Sequence, residues 1–439
     1  MTPVPSPMDA SPTEGGGVAV QRAWRGERLL AAGLCVWAVG VQANEGLAVA
    51  GALLAVLAMA PGALRERGWG RWARAWGPLL LFVAWGVLVT LSRGQLRSSG
   101  ALARHLDWLL VPVAAAGYAR LGPRSRGWLA LLAAAALLLG CALAGLQHFG
   151  VWPGEAWMKE HLGWTRLGLS RVYEPVPGAP GRFMGGGLLF HRLKFAHVAA
   201  LGALWALAVA LRLRGRAQAA ALGACALTLL SVLVFPYARA ASAALGVSLA
   251  LVLLTERRHR RLALGFGGAF ALALVAVLVL HGSFRERLLS AATGRGSGDR
   301  HELIAAGLSA VRSHPLVGTG LGHFRVGEWA RPEAPVSVRE HRGKAHNLFL
   351  STAAEMGVPG LALLLVLLGW LLRRTAALLA TRGAAGLASV AFLLLLGLVH
   401  DPLFHAEVSL AFALCFGIAL APQAAQAREA PAPASSARP

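Results

Sequence analysis

The sequence predicts an all-α integral membrane protein with about twelve transmembrane helices and a large, partly helical extracytoplasmic loop between helices nine and ten. Of its 439 residues, 56% are hydrophobic and only 14% are charged, which is too apolar for a soluble protein of this length. Runs such as "WLALLAAAALLLGCALAGL" (128–146) and "LALGFGGAFALALVAVLVL" (262–280) are as long as the ~20 apolar residues that cross a bilayer.

The apolar segments follow one another along almost the whole chain. The first four are short, so the number of helices is predicted as about twelve. Their ranges are 28–43, 46–62, 77–91, 106–119, 128–147, 192–211, 217–236, 240–254, 262–281, 347–372, 384–400 and 406–422.

Arginines in the short loops predict the orientation. The net charge of +22 could indicate a nucleic-acid partner, but basic residues between membrane helices favour the positive-inside explanation. An even number of helices puts both termini on the side of the arginine-rich loops, so both are predicted to be cytoplasmic. Of the opposite short loops, 42–45 and 401–405 contain no Lys or Arg, and 92–105 contains three.

These boundaries divide the chain into five predicted parts. No hydrophobic core precedes Arg28, so the first apolar run is expected to stay as an anchor, and the four widely spaced cysteines are expected to pack. The parts are a disordered cytoplasmic tail (1–27), membrane helices one to nine (28–281), an extracytoplasmic catalytic loop (282–346), the last membrane helices (347–422) and a second disordered cytoplasmic tail (423–439).

The loop 282–346 is expected to contain a helix that lies on or caps the bundle. In "DRHELIAAGLSAVRSHP", Asp299 stands three residues before Glu302 as in a capping box, and Pro315 follows the helical pattern. The glycines of "HPLVGTGLGHF" (318, 320 and 322) could cradle a phosphate, but a tight turn after the helix is favoured, because no βαβ context surrounds them.

Ionisable and polar residues cluster at one predicted membrane face. Such residues are costly inside a membrane, so they are functional candidates. Arginine suits a phosphate because its planar fork binds two oxygens, and His346 could remove a proton from a hydroxyl or orient that hydroxyl. The cluster contains Asp107, Arg192, Lys194, His197, Arg239, His346, Asn347, His400, Asp401 and His405, and the anion-binding candidates are Arg182, Arg239 and Arg300.

Each of these residues also has an ordinary structural explanation. A single arginine can extend to a lipid headgroup, an interfacial histidine often bonds a helix end, Asn347 can cap a helix, and Glu355 can form an ion pair within the bundle. Metal binding by His400, Asp401 and His405 is weakly indicated, because their spacing matches no known closed site.

Three segments follow one another in a recognisable order: "ARAASAALGVSLAL" (238–251), "GDRHELIAAGLSAVRSHPLVGTGLGHF" (298–324) and "AHNLFLSTAAEMGVPGLALLL" (345–365). They contain an arginine that opens a helix, a loop helix that ends in Pro-x-x-Gly-x-Gly, and His-Asn with Glu-x-Gly eight residues after the Asn. Together they resemble the O-antigen ligase and polymerase family of bacterial envelope glycosyltransferases.

This resemblance implies an inverting transfer of a glycan from undecaprenyl diphosphate to an acceptor hydroxyl, without a metal, a nucleotide sugar or another cofactor. It implies that Arg239 and Arg300 hold the diphosphate and that His346 activates or positions the acceptor. The other predicted substrate-binding residues are Arg182, Asn347, Lys194 and Arg342.

The resemblance also implies the partners and the location. The donor is a polyprenyl-diphosphate-linked glycan, the acceptor is lipid A–core or another glycan, and membrane lipid but no nucleic acid is expected to be bound. The protein would lie in the bacterial inner membrane with its active site on the periplasmic side.

Three alternatives stay open at this point. Within the family, the chain could be a polymerase that joins repeat units, or a ligase with a protein acceptor. Outside it, a transporter or flippase would fit the hydropathy, although transporters place substrate near the membrane midplane on broken helices. A non-catalytic scaffold would leave the arginines and His346 without a purpose.

Overall fold

The computed structural model describes residues 15–63, 73–94, 99–151, 174–256, 260–280, 282, 285 and 298–422. Helices make up the secondary structure within these ranges, and the described residues form no strand. A single backbone bridge joins Pro175 and Phe183. The predicted all-α class is confirmed.

Seventeen α-helices have their bounds inside the described ranges and are numbered in chain order, and short 3-10 turns lie at 107–109, 187–189 and 402–404. They are α1 (Gly15–Ala43), α2 (Glu45–Ala63), α3 (Gly77–Ser92), α4 (Ser99–Leu106), α5 (Leu110–Arg120), α6 (Pro123–His148), α7 (Arg192–Ala210), α8 (Gly215–Val234), α9 (Arg239–Thr255), α10 (Arg260–Leu280), α11 (Gly298–Ser313), α12 (Val326–Trp329), α13 (Val336–Arg339), α14 (Leu348–Ala377), α15 (Leu379–Arg382), α16 (Ala385–Gly397) and α17 (Ala406–Leu420).

Among the described residues, four helices are long and apolar enough to cross a membrane by length and composition: α6, α7, α8 and α14. The other apolar segments predicted from the sequence also overlap helices. The number of crossings and their orientation therefore stay predictions.

The predicted tails and long loops are described only in part. Helix α1 begins at Gly15, inside the segment predicted as an N-terminal tail, and residues 1–14 lie outside the described ranges. The predicted C-terminal tail (423–439) lies outside them as well, as do 152–173 and 286–297 of the two long loops.

The main core runs through the bundle. Helices α7, α16 and α17 supply many of its fully buried residues, including Leu204, Phe392 and Phe412. Large apolar residues such as Leu131 on α6 and Leu272 on α10 are instead exposed. An apolar exterior of this kind suits a helix that faces lipid.

A second, smaller core belongs to the loop before α14. Leu303 of α11, Phe324, Val338 of α13 and Ala345 are buried together against Ala354 of α14. The predicted loop helix is thus present as α11, packed on the bundle.

The predicted capping box is wrong in detail, because Asp299 lies inside the first turn and accepts a hydrogen bond from the Ser337 hydroxyl at 2.9 Å.

The glycine-rich turn after α11 docks on a kink in α14. Gly357 has φ +72°, and a Cβ there would lie 2.2 Å from the Leu316 carbonyl oxygen. The amide of Gly320 donates to the Glu355 carbonyl oxygen and that of Gly322 to the Glu355 carboxylate, both at 3.0 Å. These donors serve protein oxygens, so the favoured tight turn is confirmed and the phosphate cradle is wrong.

Candidate active site

The polar residues predicted to share one membrane face do meet at one end of the bundle. Lys194, near the start of α7, lies 2.6 Å from Glu407 near the start of α17. The Leu348 amide at the start of α14 donates to the His400 carbonyl oxygen at 3.1 Å. This end, where α7, α9, α14 and α17 begin, is called the polar end below.

Three non-glycine residues in the described ranges have a left-handed backbone. They are Phe190, Tyr237 and His346, with φ of 47°, 51° and 52°. Each stands two residues before a helix that begins at the polar end: Phe190 before α7, Tyr237 before α9 and His346 before α14. Strained backbone of this kind is often found at functional sites, where the surrounding structure holds it in place.

The loop that carries His346 is held on several sides. Its backbone accepts hydrogen bonds from the amides of Val326 and Gly327 at the start of α12, both at 3.0 Å. Two residues before His346, the Lys344 ammonium lies 2.9 Å from the Glu355 carboxylate. The backbone of the histidine is therefore preorganised, and its side chain stays partly exposed.

The His346 ring lies among other basic groups. Its centroid is 5.5 Å from that of His341 and 5.9 Å from that of His400. Partial burial, His341 and Arg300 lower the pKa of His346, while Asp401 opposes the change. The lowered pKa favours the neutral ring, which is the form that can accept a proton.

Arg300 is the predicted catalytic arginine whose charge acts on His346. It lies exposed in the first turn of α11 and is close enough to act electrostatically on both His346 and His400. Because α11 packs on α14 through Gly307 and Leu350, the position of α11 determines where this charge lies.

Asn347 is engaged as a helix cap. Its Oδ1 accepts from the Leu350 amide at 2.9 Å, and its Nδ2 donates to the Leu398 carbonyl oxygen at 2.9 Å. This side chain joins the start of α14 to the end of α16. The substrate-binding role predicted for it stays a prediction.

Arg182 and Arg239 lie around the end of α6. The Arg182 guanidinium stacks 4.2 Å from the Phe149 ring centroid. Tyr237 stacks on His148 at 6.0 Å, and Arg239 follows two residues later as the first residue of α9. Both arginines thus stand at the polar end, in a neighbourhood built by α6, α8 and α9.

Arg192 joins this neighbourhood to the histidines. Its guanidinium lies 2.6 Å from the Glu174 carboxylate, and the Met184 amide donates to the Glu174 carbonyl oxygen at 2.8 Å. Arg192 also acts electrostatically on His400.

Of the remaining predicted residues, Lys194 pairs with Glu407, and Arg342 lies exposed four residues before His346.

Sequence reasoning missed two buried acidic partners. Glu407 was not singled out, although a carboxylate in an apolar helix is itself a signal. Asp401 was placed in the polar cluster and considered as a metal ligand, but its ion pair was not predicted. It lies 3.7 Å from Lys344, beside a cavity of about 70 Å³ that Arg104 and Glu355 also line. Glu355 was expected to pair within the bundle, and its pairing with Lys344 confirms that.

His400, Asp401 and His405 do not form a metal centre. Across the part of the chain that the structure describes, no group of three His, Cys, Asp or Glu residues could hold a metal ion. His400 instead lies beside the rings of His346 and His197, and His405 beside that of His191.

The comparison with protein families identifies the segment that carries most of this geometry. Residues 224–365 match the family model described as O-Antigen ligase. The segment is similar to that family and makes up 142 of the 439 residues. No curated protein matches the chain.

The O-antigen ligase segment contains Arg239, Arg300, His346 and Glu355, whereas Arg182 and Lys194 lie before it. The family resemblance predicted from the sequence is thus confirmed. The match indicates activity of the O-antigen ligase or polymerase type, and that family implies glycan and lipid-linked substrates in general.

Proposed function

We propose that this protein transfers a glycan from undecaprenyl diphosphate to an acceptor hydroxyl at the outer face of the bacterial inner membrane, and that the transfer is O-antigen ligation to lipid A–core. The observation that carries the proposal is His346, held with φ 52° and its ring 5.9 Å from that of His400, within a segment that matches the O-antigen ligase family. Partial burial and the Arg300 charge lower its pKa, which favours the neutral ring.

In this reaction the acceptor oxygen attacks the anomeric carbon of the glycan, and the bond from that carbon to the diphosphate oxygen breaks. The acceptor proton passes to His346, and the electron pair of the broken bond leaves with the diphosphate. Because the diphosphate is already a good leaving group, the protein has to position the acceptor and neutralise the growing charge.

The arginines are assigned to the diphosphate. Arg300 acts on the same region as His346, and Arg239 and Arg182 stand at the same end of the bundle. Guanidinium forks bind phosphate oxygens in pairs and stay charged when partly desolvated. Lys194 and Arg342 would bind the more distant parts of the substrates, and the reaction would use no metal or other cofactor.

The proposed orientation puts the polar end at the periplasmic surface and both termini in the cytoplasm, with twelve crossings. It agrees with the arginine-rich short loops at the opposite end of the bundle. The collection of ionisable residues at helix ends favours an interfacial enzyme over a transporter with a midplane site.

The decisive test is complementation of a strain from which the gene has been deleted. His346→Ala should abolish glycan attachment although the protein still inserts, whereas His301→Ala, an exposed histidine on α11, should retain it. Normal capped lipopolysaccharide from the His346→Ala strain would contradict the proposal. In the deletion strain, long glycan held on the carrier indicates a ligase, and a single repeat on the lipid core indicates a polymerase.

A further inference from the structure

Two cavities lie at the end of the bundle opposite the polar end. Helix α7 begins at Arg192 at the polar end and runs for 19 residues, or about 28 Å, so Arg212 beyond its other end is far from His346. The cavities have volumes of about 530 and 750 Å³, and both are lined by Arg212, Thr381 and Gly383. They therefore flank one arginine.

The first cavity combines an apolar wall with positive charge. Trp205, Val209 and Ile418 supply apolar surface, and Arg126 and Arg212 are the charged residues among its described lining. The second cavity adds Arg214 and one carboxylate, Glu256. A concave apolar site with a few convergent charged groups has the features of a ligand pocket for an amphiphilic anion.

Arg212 is exposed, and its guanidinium lies against the backbone of Gly383. Gly383 has φ +75°, and a Cβ there would lie 2.7 Å from the Arg212 guanidinium. The Arg212 Nη1 donates to the Thr381 carbonyl oxygen at 3.4 Å, which accounts for one of the five N–H donors of a guanidinium. Glycine at this position lets the charge lie between the two cavities.

Arg126 is oriented in a similar way by neutral partners. Its guanidinium lies 4.9 Å from the Tyr118 ring centroid, and its Nη2 donates to the Ala119 carbonyl oxygen at 3.2 Å. Its Nε is buried and has no hydrogen-bond partner among the described residues. A buried donor of this kind is costly to leave unpaired, which points to an acceptor supplied by a ligand.

The walls indicate what kind of anion fits. Val209 and Leu254, which line the first and the second cavity, are 40% and 78% exposed at the outer surface of the bundle. Acyl chains could continue from the cavities along this surface, whereas a free phosphate would make no use of it. Basic pockets between membrane helices are known binding sites for acidic lipid headgroups.

We propose that the two cavities around Arg212 form one binding site for an anionic phospholipid, with its phosphate held by Arg126 and Arg212 and its acyl chains on the apolar wall. The site is independent of the proposed transferase centre, since it lies at the other end of the bundle. Because a ligand that binds the folded state stabilises it, the stability of the protein would depend on the content of anionic phospholipid in the membrane.

The test uses the purified full-length protein in a neutral detergent. Phosphatidylglycerol, phosphatidylcholine or inorganic phosphate is added at equal phosphate concentration, and the shift in melting temperature is titrated. Phosphatidylglycerol should raise the melting temperature, and the other two should not. Arg126→Gln with Arg212→Gln should weaken the apparent affinity by at least about tenfold.

Arg124→Gln is the matched control, because Arg124 is exposed on the same helix outside both linings and should respond as the wild type. If the double variant does not fold, Arg212→Lys keeps the charge but loses the fork, and it should still weaken binding. An unchanged response of the folded arginine variants would overturn the proposal. So would an equal shift with phosphatidylcholine or with inorganic phosphate, the latter because it would indicate a free-anion site.

Discussion

The Lys344 ammonium lies 2.9 Å from the Glu355 carboxylate, and this pair ties the loop that carries His346 to helix α14. Lys344 belongs to the loop that carries His346. Glu355 also accepts a hydrogen bond from the amide of Gly322, in the glycine-rich turn after α11. Burial lowers the pKa of Lys344, but Glu355 and Asp401 outweigh it, so the pKa lies above its usual value.

Lys344→Met is expected to destabilise the protein by about 3–5 kcal/mol, because it leaves a buried carboxylate without its partner. Adding Glu355→Gln should recover part of that loss, since the amide oxygen can still accept from Gly322. The free energy of unfolding of the two single variants and the double variant gives the coupling energy. As a control, Arg331→Met breaks an exposed pair with Glu302 and should cost at most about 1 kcal/mol.

Arg300→Ala is expected to lower kcat by about 10²–10³-fold, in the range found when a group that stabilises transition-state charge is removed. Arg312→Ala removes the same charge from an exposed position at the other end of α11 and should change kcat little. Transfer from a purified lipid-linked donor would be measured for both. Equal losses of kcat for both variants would mean that the net charge of α11, and not the position of Arg300, determines the rate.

Gly357→Ala is expected to cost about 1–3 kcal/mol, because alanine is strained at φ +72° and its Cβ would meet the Leu316 carbonyl oxygen. Gly369→Ala on the same helix has open space around the added methyl and should be neutral or slightly stabilising. Melting temperatures in detergent compare the two. A neutral Gly357→Ala would show that the kink is not required for docking the glycine turn.

Acidification is expected to destabilise the polar end. Burial, together with His191, Lys194, His400 and Arg104, lowers the pKa of His405 to about 3. As the pH falls below the unfolded value near 6.5, the unfolded chain binds a proton that the folded chain rejects, so stability decreases until about pH 3. The melting temperature should fall between pH 6.5 and 4, and His405→Gln should flatten that fall. An unchanged slope in the variant would mean that His405 does not cause it.

The catalytic rate is expected to depend on pH through a different histidine. The pKa of His346 is lowered by partial burial, His341 and Arg300, so its neutral form persists below pH 6.5. Transfer should therefore decrease on the acidic side, with an apparent pKa under 6.5 in a plot of kcat/KM against pH. His341→Gln removes one of the neighbouring basic rings and should move that apparent pKa upward.

Local patterns made much of the fold predictable. Hydropathy located the apolar helices, and the Pro-Gly punctuation located α11 and the turn after it. Hydropathy and turn chemistry are properties of a few adjacent residues, so they can be read without knowing what packs on them. The gathering of ionisable residues at one end of the bundle was predictable as well. Consecutive helices run in opposite directions, so the start of one helix and the end of the helix before it lie on the same side.

The sequence by itself determined the helical class, the family segment at 224–365 and the residue types of the site. Only the tertiary structure decided their partners: Glu355 with Lys344 and Gly322, Lys194 with Glu407, and His346 beside Arg300 and His400. The reason is physical, because a buried charge is stabilised by whichever opposite charge the packing of distant helices brings within a few ångströms.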